Sequence, residues 1–221
     1  MADLCITVTG RTAEDIRRER IAAEADADLV ELRLDAMERP DAAAALHGRR
    51  KPAIVTCRPR REGGMFDGPE EARLRVLEAA HAAGAEFIDV EWDAADAAVV
   101  QVRGGRGIVV SRHVFDGTPK DAGALLADLR RRGGDVAKLA VTSESIADLR
   151  TLLRAGGVAR EAGGDSIVIG MGPCGTPTRV LAGRFGSRWT YAGNRVAPGQ
   201  MPASRLVGEF HFRRIRPDAA V

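Results

Sequence analysis

Eight short runs of hydrophobic residues are spread along the chain, and they predict its β-strands. Where the pattern is clearest, as in Ile54-Val55 and Ile108-Val109-Val110, the hydrophobic residues are continuous and do not alternate with polar ones. Continuous runs are typical of parallel strands that are covered on both faces. The predicted strands are residues 4–9, 29–34, 53–57, 87–91, 107–111, 135–141, 166–170 and 189–192.

Between these runs, hydrophobic residues recur at the spacing of amphipathic helices. The clearest predicted helices are residues 13–25, 69–83, 121–132 and 145–153. Gly84 and Gly133 follow two of them as helix ends, and Pro69 and Pro202 lie where first helical turns begin. Strand and helix therefore alternate, and eight such units predict an α/β protein with a single (β/α)8 TIM barrel, as one domain over residues 1–221.

A doubly wound open sheet is the competing architecture for the same alternation of strands and helices. Its first strand should be followed by a glycine-rich loop that binds phosphate, and Thr9-Gly10-Arg11-Thr12 matches such a loop poorly. The barrel is therefore the preferred prediction.

Composition and charge narrow the classes of partner. The 221 residues are 45% hydrophobic, and 33 basic against 31 acidic residues leave a net charge of +2, which gives no reason to expect a nucleic-acid partner. Arginine clusters such as Arg130-Arg131-Arg132 lie on predicted helices, and we interpret them as solvent-exposed faces. No window approaches the roughly 18 hydrophobic residues that a membrane span requires, so we expect neither a membrane nor a targeting segment.

The three cysteines are Cys5, Cys57 and Cys174, and they are widely separated. Their spacing fits neither a disulfide framework nor a metal site. We therefore expect no metal and a reducing, cytoplasmic location.

Polar residues end several of the predicted strands, where a barrel places its chemistry. Glu31 and Arg33 are two residues apart on the second strand, so they point to the same side of it. Arg58 follows the third strand, and Glu62 comes shortly after it. Any one of these residues alone is as readily part of a structural ion pair. Together they predict a polar site at the mouth of the barrel.

Lys138 stands alone among hydrophobic residues in the sixth predicted strand. Lysine is rarely buried, and both burial and neighbouring cations such as Arg33 or Arg58 disfavour its charged form. The neutral amine is a nucleophile that can attack a carbonyl. Without further context, such a lysine more often extends to solvent or pairs with a carboxylate.

His113 is one of four histidines, and it alone follows a predicted core strand, the fifth. The next strand carries Lys138, so the two side chains would be close enough to act on one small substrate. The ordinary pKa of an imidazole, about 6.5, suits general acid-base catalysis at neutral pH. The alternative is a core histidine whose nitrogens bond to the backbone.

Two glycine-rich loops follow the seventh and eighth predicted strands. In barrels these loops often bind phosphate through backbone amides. Arg179 in the first loop offers instead a bidentate grip on a carboxylate, and Gln200 lies at the tip of the second, which has the composition of a lid. Arg33, Arg58 and Arg179 together indicate a small anionic substrate.

Several motifs occur in a fixed order from the first strand to the last helix. They are Glu31-Leu32-Arg33-Leu34-Asp35, Thr56-Cys57-Arg58 with Glu62-Gly63-Gly64, Ser111-Arg112-His113-Val114-Phe115 with Thr118-Pro119, Lys138-Leu139-Ala140, Arg179 with Phe185-Gly186-Ser187, and Ala197-Pro198-Gly199-Gln200. In this order they are specific, and the chain resembles the type I 3-dehydroquinate dehydratases, the Schiff-base dehydroquinases of the shikimate pathway of aromatic amino acid biosynthesis.

The resemblance implies a hydro-lyase (3-dehydroquinate dehydratase) that converts 3-dehydroquinate into 3-dehydroshikimate. It assigns Lys138 to an iminium with the C3 ketone. It assigns His113 to removal of a C2 proton and to protonation of the departing C1 hydroxyl, and Glu62 to the orientation of His113. Because an iminium is itself an electron sink, no cofactor is expected.

The same resemblance implies the substrate contacts and the assembly. Glu31, Arg33 and Arg58 would hold the ring hydroxyls of 3-dehydroquinate. Arg179 and Gln200 would hold its carboxylate. The family is often dimeric, so a homodimer is an expectation from the resemblance, although no surface pattern in the sequence predicts one.

Two departures from the family pattern stand out. Val196 replaces a serine that commonly contacts substrate four residues before the lid glutamine, and Asn194 is a candidate to supply the missing contact. Longer members begin with a hairpin beneath the barrel, whereas this chain begins almost directly at its first strand, so we expect no long N-terminal hairpin.

Two other functions remain open on the sequence alone. A class I aldolase would use the same lysine to break a C–C bond in a phosphorylated substrate, but Arg179 in a carboxylate-type loop argues against it. A catalytically silent barrel that serves as a binding module is disfavoured by the presence of Lys138, His113 and Glu62 together.

Overall fold

The structure, a computed structural model, describes residues 1–94, 107–193 and 197–215. Within these residues strands and helices alternate along the chain. The strands are β1 (Asp3–Thr9), β2 (Leu29–Arg33), β3 (Ala53–Thr56), β4 (Phe87–Glu91), β5 (Ile108–Val114), β6 (Val136–Thr142), β7 (Asp165–Met171) and β8 (Trp189–Ala192). The helices are α1 (Ala13–Ala23), α2 (Ala42–Leu46), α3 (Glu70–Ala82), α4 (Ala122–Arg131), α5 (Ile146–Glu161), α6 (Thr176–Val180) and α7 (Ala203–Gly208).

The strands join in the order β7-β6-β5-β4-β3-β2-β1-β8. From β1 to β7 each strand thus lies beside the next strand in sequence, and β8 lies beside β1, which is the order of a (β/α)8 barrel. A doubly wound sheet would instead reverse its strand order at one point. The pairings β1–β2, β2–β3, β3–β4 and β6–β7 are all parallel. The predicted α/β barrel is therefore confirmed, and β1 begins at Asp3.

The chain divides into two compact units. We call Cys5–Val110 with Arg132–Asp135 the N-terminal unit, and Met1–Leu4, Ser111–Arg131 and Val136–Val221 the C-terminal unit. The N-terminal unit contains β2, β3 and β4, and the C-terminal unit contains β6, β7 and β8. That residues 1–221 act as one domain stays a prediction.

The helix α1 shows how local sequence starts the elements of the N-terminal unit. Thr12 caps the helix by accepting a hydrogen bond from the backbone N–H of Asp15, whose carboxylate accepts one from the Thr12 backbone in return. This reciprocal capping box satisfies two backbone donors that a helix start would leave open. The helix then buries Ile16, together with Arg20, whose guanidinium donates to Glu24 at 2.5 Å. The core of this unit therefore includes a buried ion pair.

The longest helix of the C-terminal unit, α5, begins with the same device. The Ser145 hydroxyl accepts a hydrogen bond from the backbone N–H of Asp148, and the Asp148 carboxylate accepts one from the backbone N–H of Ser145. The sequence pattern predicted an end at residue 153, but the helix runs through Gly156 and Gly157 to Glu161. A Cβ on Gly156 would lie 1.9 Å from the carbonyl oxygen of Phe185, so this glycine allows close packing and does not end the helix.

The fifth strand also differs from its prediction. The pattern predicted an end at residue 111, whereas β5 continues to Val114 and carries Arg112 and His113 within it. The polar residues Arg112 and His113 interrupt the hydrophobic run, so the sequence pattern does not continue the strand through them. No helix in the described part of the chain has the length and hydropathy to cross a membrane.

Candidate active site

Lys138 is buried in the middle of β6, with only 4% of its surface exposed. Its register partner on β7 is Ile167, which is fully buried. The Lys138 Nζ lies 4.4 Å from the centroid of the Tyr191 ring on β8, which is also buried. The structure thus bears out the expectation that this lysine is kept away from bulk water.

Tyr191 was not among the site residues that the sequence predicted. The residue lies within a predicted strand, but nothing in its local pattern separates a ring that contacts an amine from an ordinary core aromatic residue. Its ring also meets that of Trp189 edge to face, with centroids 6.5 Å apart. The signal that could have found it is long-range, because it depends on β6 and β8 lying in the same unit.

His113 lies one residue before the end of β5 and is half-buried. Its ring stacks on that of Phe115, with centroids 6.3 Å apart and planes 17° from parallel. Because β5 and β6 are neighbours in the sheet, His113 and Lys138 lie on adjacent strands, as the sequence predicted. The role of the imidazole in proton transfer stays a prediction.

Arg179, at the end of α6, is 2% exposed. Its terminal nitrogens donate long hydrogen bonds to the carbonyl oxygens of Tyr191 at 3.4 Å and Pro198 at 3.3 Å. The Nε atom is buried without a hydrogen-bond partner, and no carboxylate in the described residues pairs with the guanidinium. Burial lowers its pKa to about 10. This cation is therefore poorly compensated, which suits an incoming anion.

Gln200 lies in the loop after β8. Its backbone N–H donates to the Ala197 carbonyl at 3.0 Å, and its side-chain oxygen accepts from the Ala197 N–H at 3.1 Å. Gly199 has a φ of +75°, and a Cβ there would lie 2.6 Å from the Gly172 carbonyl oxygen. The two glycine-rich loops thus touch through their backbones. Val196 and Asn194, singled out from the sequence, lie outside the described residues.

The N-terminal unit holds the other predicted site residues. Glu31 is 4% exposed and accepts hydrogen bonds from the hydroxyl groups of Thr7 and Thr56, each at 2.9 Å. These threonines occupy β1 and β3, on either side of β2, and Thr7 is the register partner of Glu31. The two bonds fix the carboxylate in place.

Arg33 forms a bidentate ion pair with Asp35, with both N–O distances at 2.8 Å. Burial lowers the pKa of Arg33, but the bond and charge of Asp35 outweigh it, and the net direction is upward. Burial raises the pKa of Asp35, but the hydrogen bonds and the charge of Arg33 lower it by more. The pKa of Asp35 is therefore below its usual value. The motif Glu31-Leu32-Arg33-Leu34-Asp35 contains Asp35, but its pairing with Arg33 was not predicted.

Arg58 is 3% exposed, and it pairs with Asp89 at 2.8 Å and with Glu91 at 2.6 Å. Burial lowers the pKa of Arg58, but the charges of Asp89 and Glu91 raise it by more, so its pKa is above the usual value. Glu91 also pairs with the buried Arg73 of α3. The alternation of Asp89 and Glu91 on β4 was the available signal for this network.

Glu62 is 7% exposed and accepts a hydrogen bond from the indole N–H of Trp92 at 3.2 Å. It lies in a short turn that ends at Gly63, whose φ is +77°, a conformation that favours glycine. A Cβ on Gly64 would lie 2.0 Å from the Arg58 carbonyl oxygen. The Glu62-Gly63-Gly64 motif therefore packs the turn against Arg58. That Glu62 orients His113 stays a prediction.

The predicted site residues thus fall into two groups, each well organised within its own unit. In the C-terminal unit, Tyr191 contacts both Lys138 and Arg179. In the N-terminal unit, the negative charge of Glu31 contributes to raising the pKa values of both Arg33 and Arg58. The two groups present a buried amine, an imidazole near a strand end, a buried guanidinium and carboxylates held by hydrogen bonds and ion pairs.

Metal ligation is the other chemistry that such residue types can provide. Among the residues that the structure describes, no group of three or more histidine, cysteine or acidic side chains is arranged to hold a metal ion. The three cysteines, all of which are described, form no disulfide. Burial raises the pKa of Cys57 to about 12.

A family model described as type I 3-dehydroquinase matches residues 4–217 of the chain. A 3-dehydroquinate dehydratase of Methanothermobacter thermautotrophicus is 35% identical in an alignment of 217 positions that covers 93% of this chain and 96% of that protein. The bifunctional 3-dehydroquinate dehydratase/shikimate dehydrogenase of Arabidopsis thaliana chloroplasts is 33% identical over 90% of this chain, which spans only 35% of the plant protein.

A solved structure gives the same result for the fold. The crystal structure of 3-dehydroquinate dehydratase from Geobacillus kaustophilus HTA426 superposes with a TM-score of 0.83 and 32% sequence identity. The match covers 96% of this chain and 90% of that one.

Proposed function

Because the chain belongs to the type I 3-dehydroquinase family, we propose that it dehydrates 3-dehydroquinate to 3-dehydroshikimate through a Schiff base on Lys138, with His113 as general acid and base. The observation that carries this proposal is the burial of Lys138 within β6. Burial removes the water that stabilises an ammonium ion, so it favours the neutral form of an amine. The neutral form is the nucleophile that attacks a ketone.

The reaction begins when the neutral Lys138 amine adds to the C3 ketone. The resulting carbinolamine loses water, which leaves an iminium that draws electrons from C2. His113 then removes a C2 proton, and the enamine electron pair expels the C1 hydroxyl. The protonated His113 returns its proton to that hydroxyl, which leaves as water, and hydrolysis of the remaining iminium releases the enone and the free amine.

Glu62 is proposed as the residue that orients His113. Its support is its own fixed position, because it is buried and accepts a hydrogen bond from Trp92. A carboxylate held in this way can accept an imidazole N–H and so set which ring nitrogen faces the substrate. Loss of Glu62 would lower kcat more than it raises KM.

The substrate contacts are proposed from charge and burial. Arg179 binds the carboxylate, because its charge is buried and meets no described carboxylate of the chain. Gln200 adds an amide contact when the loop closes. Glu31, Arg33 and Arg58 hold the ring hydroxyls, since their internal partners fix them as donors and acceptors at the ends of β2 and β3.

The direct test is a spectroscopic assay. The product is a conjugated enone, which absorbs ultraviolet light, whereas the substrate has no conjugated double bond. Purified protein with 3-dehydroquinate should give a rising absorbance. The Lys138→Met variant, which keeps the hydrophobic part of the side chain, should give none. A protein that is silent toward 3-dehydroquinate but cleaves a phosphorylated ketose would be an aldolase instead.

The remaining parts of the proposal concern partners. The reaction as written needs no cofactor, so activity should survive dialysis against a chelator.

We also propose a homodimer, on the family resemblance alone. The dispersed cysteines and the near-neutral net charge support a cytoplasmic location without a nucleic-acid partner. Sedimentation at several protein concentrations would measure the assembly.

A further inference from the structure

We infer that Tyr191 is a catalytic residue whose ring face stabilises the positive charge that forms on the Lys138 nitrogen. This inference rests on the proposed function, because it names a partner for the nitrogen of the Schiff base. The structural observation is the 4.4 Å distance between the Lys138 Nζ and the Tyr191 ring centroid. Cations interact favourably with an aromatic face at distances up to about 6 Å.

The surroundings make this contact stronger than one at the protein surface. Both Lys138 and Tyr191 are 4% exposed. With little water present, the ring quadrupole is poorly screened, and its interaction with a cation reaches the upper end of the usual range.

The ring is held in place from two sides. Trp189 meets it edge to face on one side. The Tyr191 carbonyl oxygen accepts a hydrogen bond from Arg179, which fixes the backbone at this point of β8. Tyr191 therefore contacts both the proposed nucleophile and the proposed carboxylate-binding residue.

The charge changes along the reaction show where the ring would act. The attacking amine and the ketone are neutral, and condensation takes up one proton and releases one water to give the cationic iminium. Removal of the C2 proton then gives a neutral enamine. A ring that favours the cation raises the fraction of enzyme held as iminium, so its effect should appear mainly in Schiff-base formation.

Matched substitutions separate the ring face from the volume of the side chain. Tyr191→Phe keeps the aromatic face, whereas Tyr191→Leu keeps a hydrophobic side chain without one. With saturating 3-dehydroquinate and borohydride, Tyr191→Phe should trap substrate at nearly the wild-type rate. Tyr191→Leu should trap it about tenfold more slowly, the loss expected for a desolvated cation–π contact. Phe212→Leu, which alters a buried aromatic residue elsewhere in the unit, is the control and should behave as wild type.

Fluorinated phenylalanines at position 191 give the sharper test, because fluorine weakens the ring quadrupole while changing its shape little. The trapping rate should fall steadily from phenylalanine to the 4-fluoro, 3,5-difluoro and pentafluoro rings. Equal trapping rates across this series, with a wild-type protein that is trapped normally, would overturn the role of Tyr191 and leave the Schiff base intact. A wild-type protein that is never trapped would instead overturn the proposed function itself.

Discussion

The buried guanidinium of Arg179 donates a hydrogen bond to the carbonyl oxygen of Pro198, 3.3 Å away, in the loop that carries Gln200. The same guanidinium reaches the carbonyl of Tyr191, next to the ring that contacts Lys138. Carbonyl dipoles are weak substitutes for a carboxylate, so the arginine keeps most of its capacity for an anion. A substrate carboxylate bound as proposed would therefore meet the same buried cation that the Gln200 loop contacts.

Arg179→Met should weaken substrate binding and leave stability intact. Burial lowers the pKa of Arg179 to about 10, so holding its charge in the folded chain at pH 7 costs about 3 kcal/mol. The variant removes this cost and loses two long hydrogen bonds worth about 1 kcal/mol each. We expect the free energy of unfolding to be unchanged or about 1 kcal/mol higher, and KM to rise about 100-fold.

Denaturant unfolding and steady-state kinetics measure the two effects. Arg131→Met, which removes an exposed ion pair with Asp128 on α4, is the control and should change stability by less than about 1 kcal/mol and KM not at all. Because the folded pKa of Arg179 lies below its unfolded value, the contribution of this group to stability rises as the pH increases above about 10. A large loss of stability in Arg179→Met at pH 7 would contradict this account.

Asp35→Asn should destabilise the protein in a way that depends on pH. Burial raises the pKa of Asp35, but Arg33 lowers it further, so the folded value lies below the usual one. The ion pair therefore stabilises the fold fully above a pH of about 4, and this contribution is lost as the pH falls through the folded pKa. We expect a loss of about 3 kcal/mol at pH 7 and a smaller one at pH 3.

Urea unfolding at the two pH values checks this prediction. Glu209→Gln removes an exposed pair with Arg205 on the surface and serves as the control, with an expected change below about 0.5 kcal/mol. An equal loss at pH 7 and pH 3 would mean that the Arg33–Asp35 pair contributes through packing and not through charge.

Adjacent glycines in α5 should respond to alanine in opposite directions. A Cβ at Gly156 would lie 1.9 Å from the Phe185 carbonyl oxygen, whereas nothing lies within 4 Å of one at Gly157. Gly156→Ala should therefore cost about 3 kcal/mol or more through overpacking, and Gly157→Ala should add about 1 kcal/mol through helix propensity. Thermal unfolding of the pair measures the difference, and similar shifts for both variants would show that α5 does not pack closely at Gly156.

The three cysteines should differ in their reactivity toward iodoacetamide at pH 8. Cys174 is exposed and should be alkylated, whereas Cys5 and Cys57 are buried. Burial raises the pKa of Cys57 to about 12, so almost none of it is thiolate at this pH. Peptide mapping by mass spectrometry gives the order of labelling. Labelling of Cys57 in the folded protein as fast as Cys174 would show that the region around it opens readily.

The sequence predicted the parts of this molecule that depend on local periodicity. Hydrophobic runs located all eight strands, and β4 and β8 have their predicted bounds. The lone lysine of β6 was found because a charged residue breaks a hydrophobic run. These features can be read from sequence because each depends on a few neighbouring residues.

Features that depend on distant residues were not predicted. The extension of α5 through Gly156 depends on a carbonyl oxygen at Phe185, and the contact between Lys138 and Tyr191 joins strands far apart in sequence. The short helices α2 and α6, of five residues each, are too short for their periodicity to be distinguished from a turn. Tertiary packing and not local propensity decides such elements.

Borohydride reduction in the presence of 3-dehydroquinate tests the central claim most directly. The chain has three lysines, Lys51, Lys120 and Lys138, so peptide mapping can assign a trapped adduct without ambiguity. We predict one adduct per chain, on Lys138, and its absence when substrate or borohydride is omitted. A protein that turns over 3-dehydroquinate but carries no adduct, or carries it on Lys51 or Lys120, would contradict a Schiff base on the buried lysine of β6.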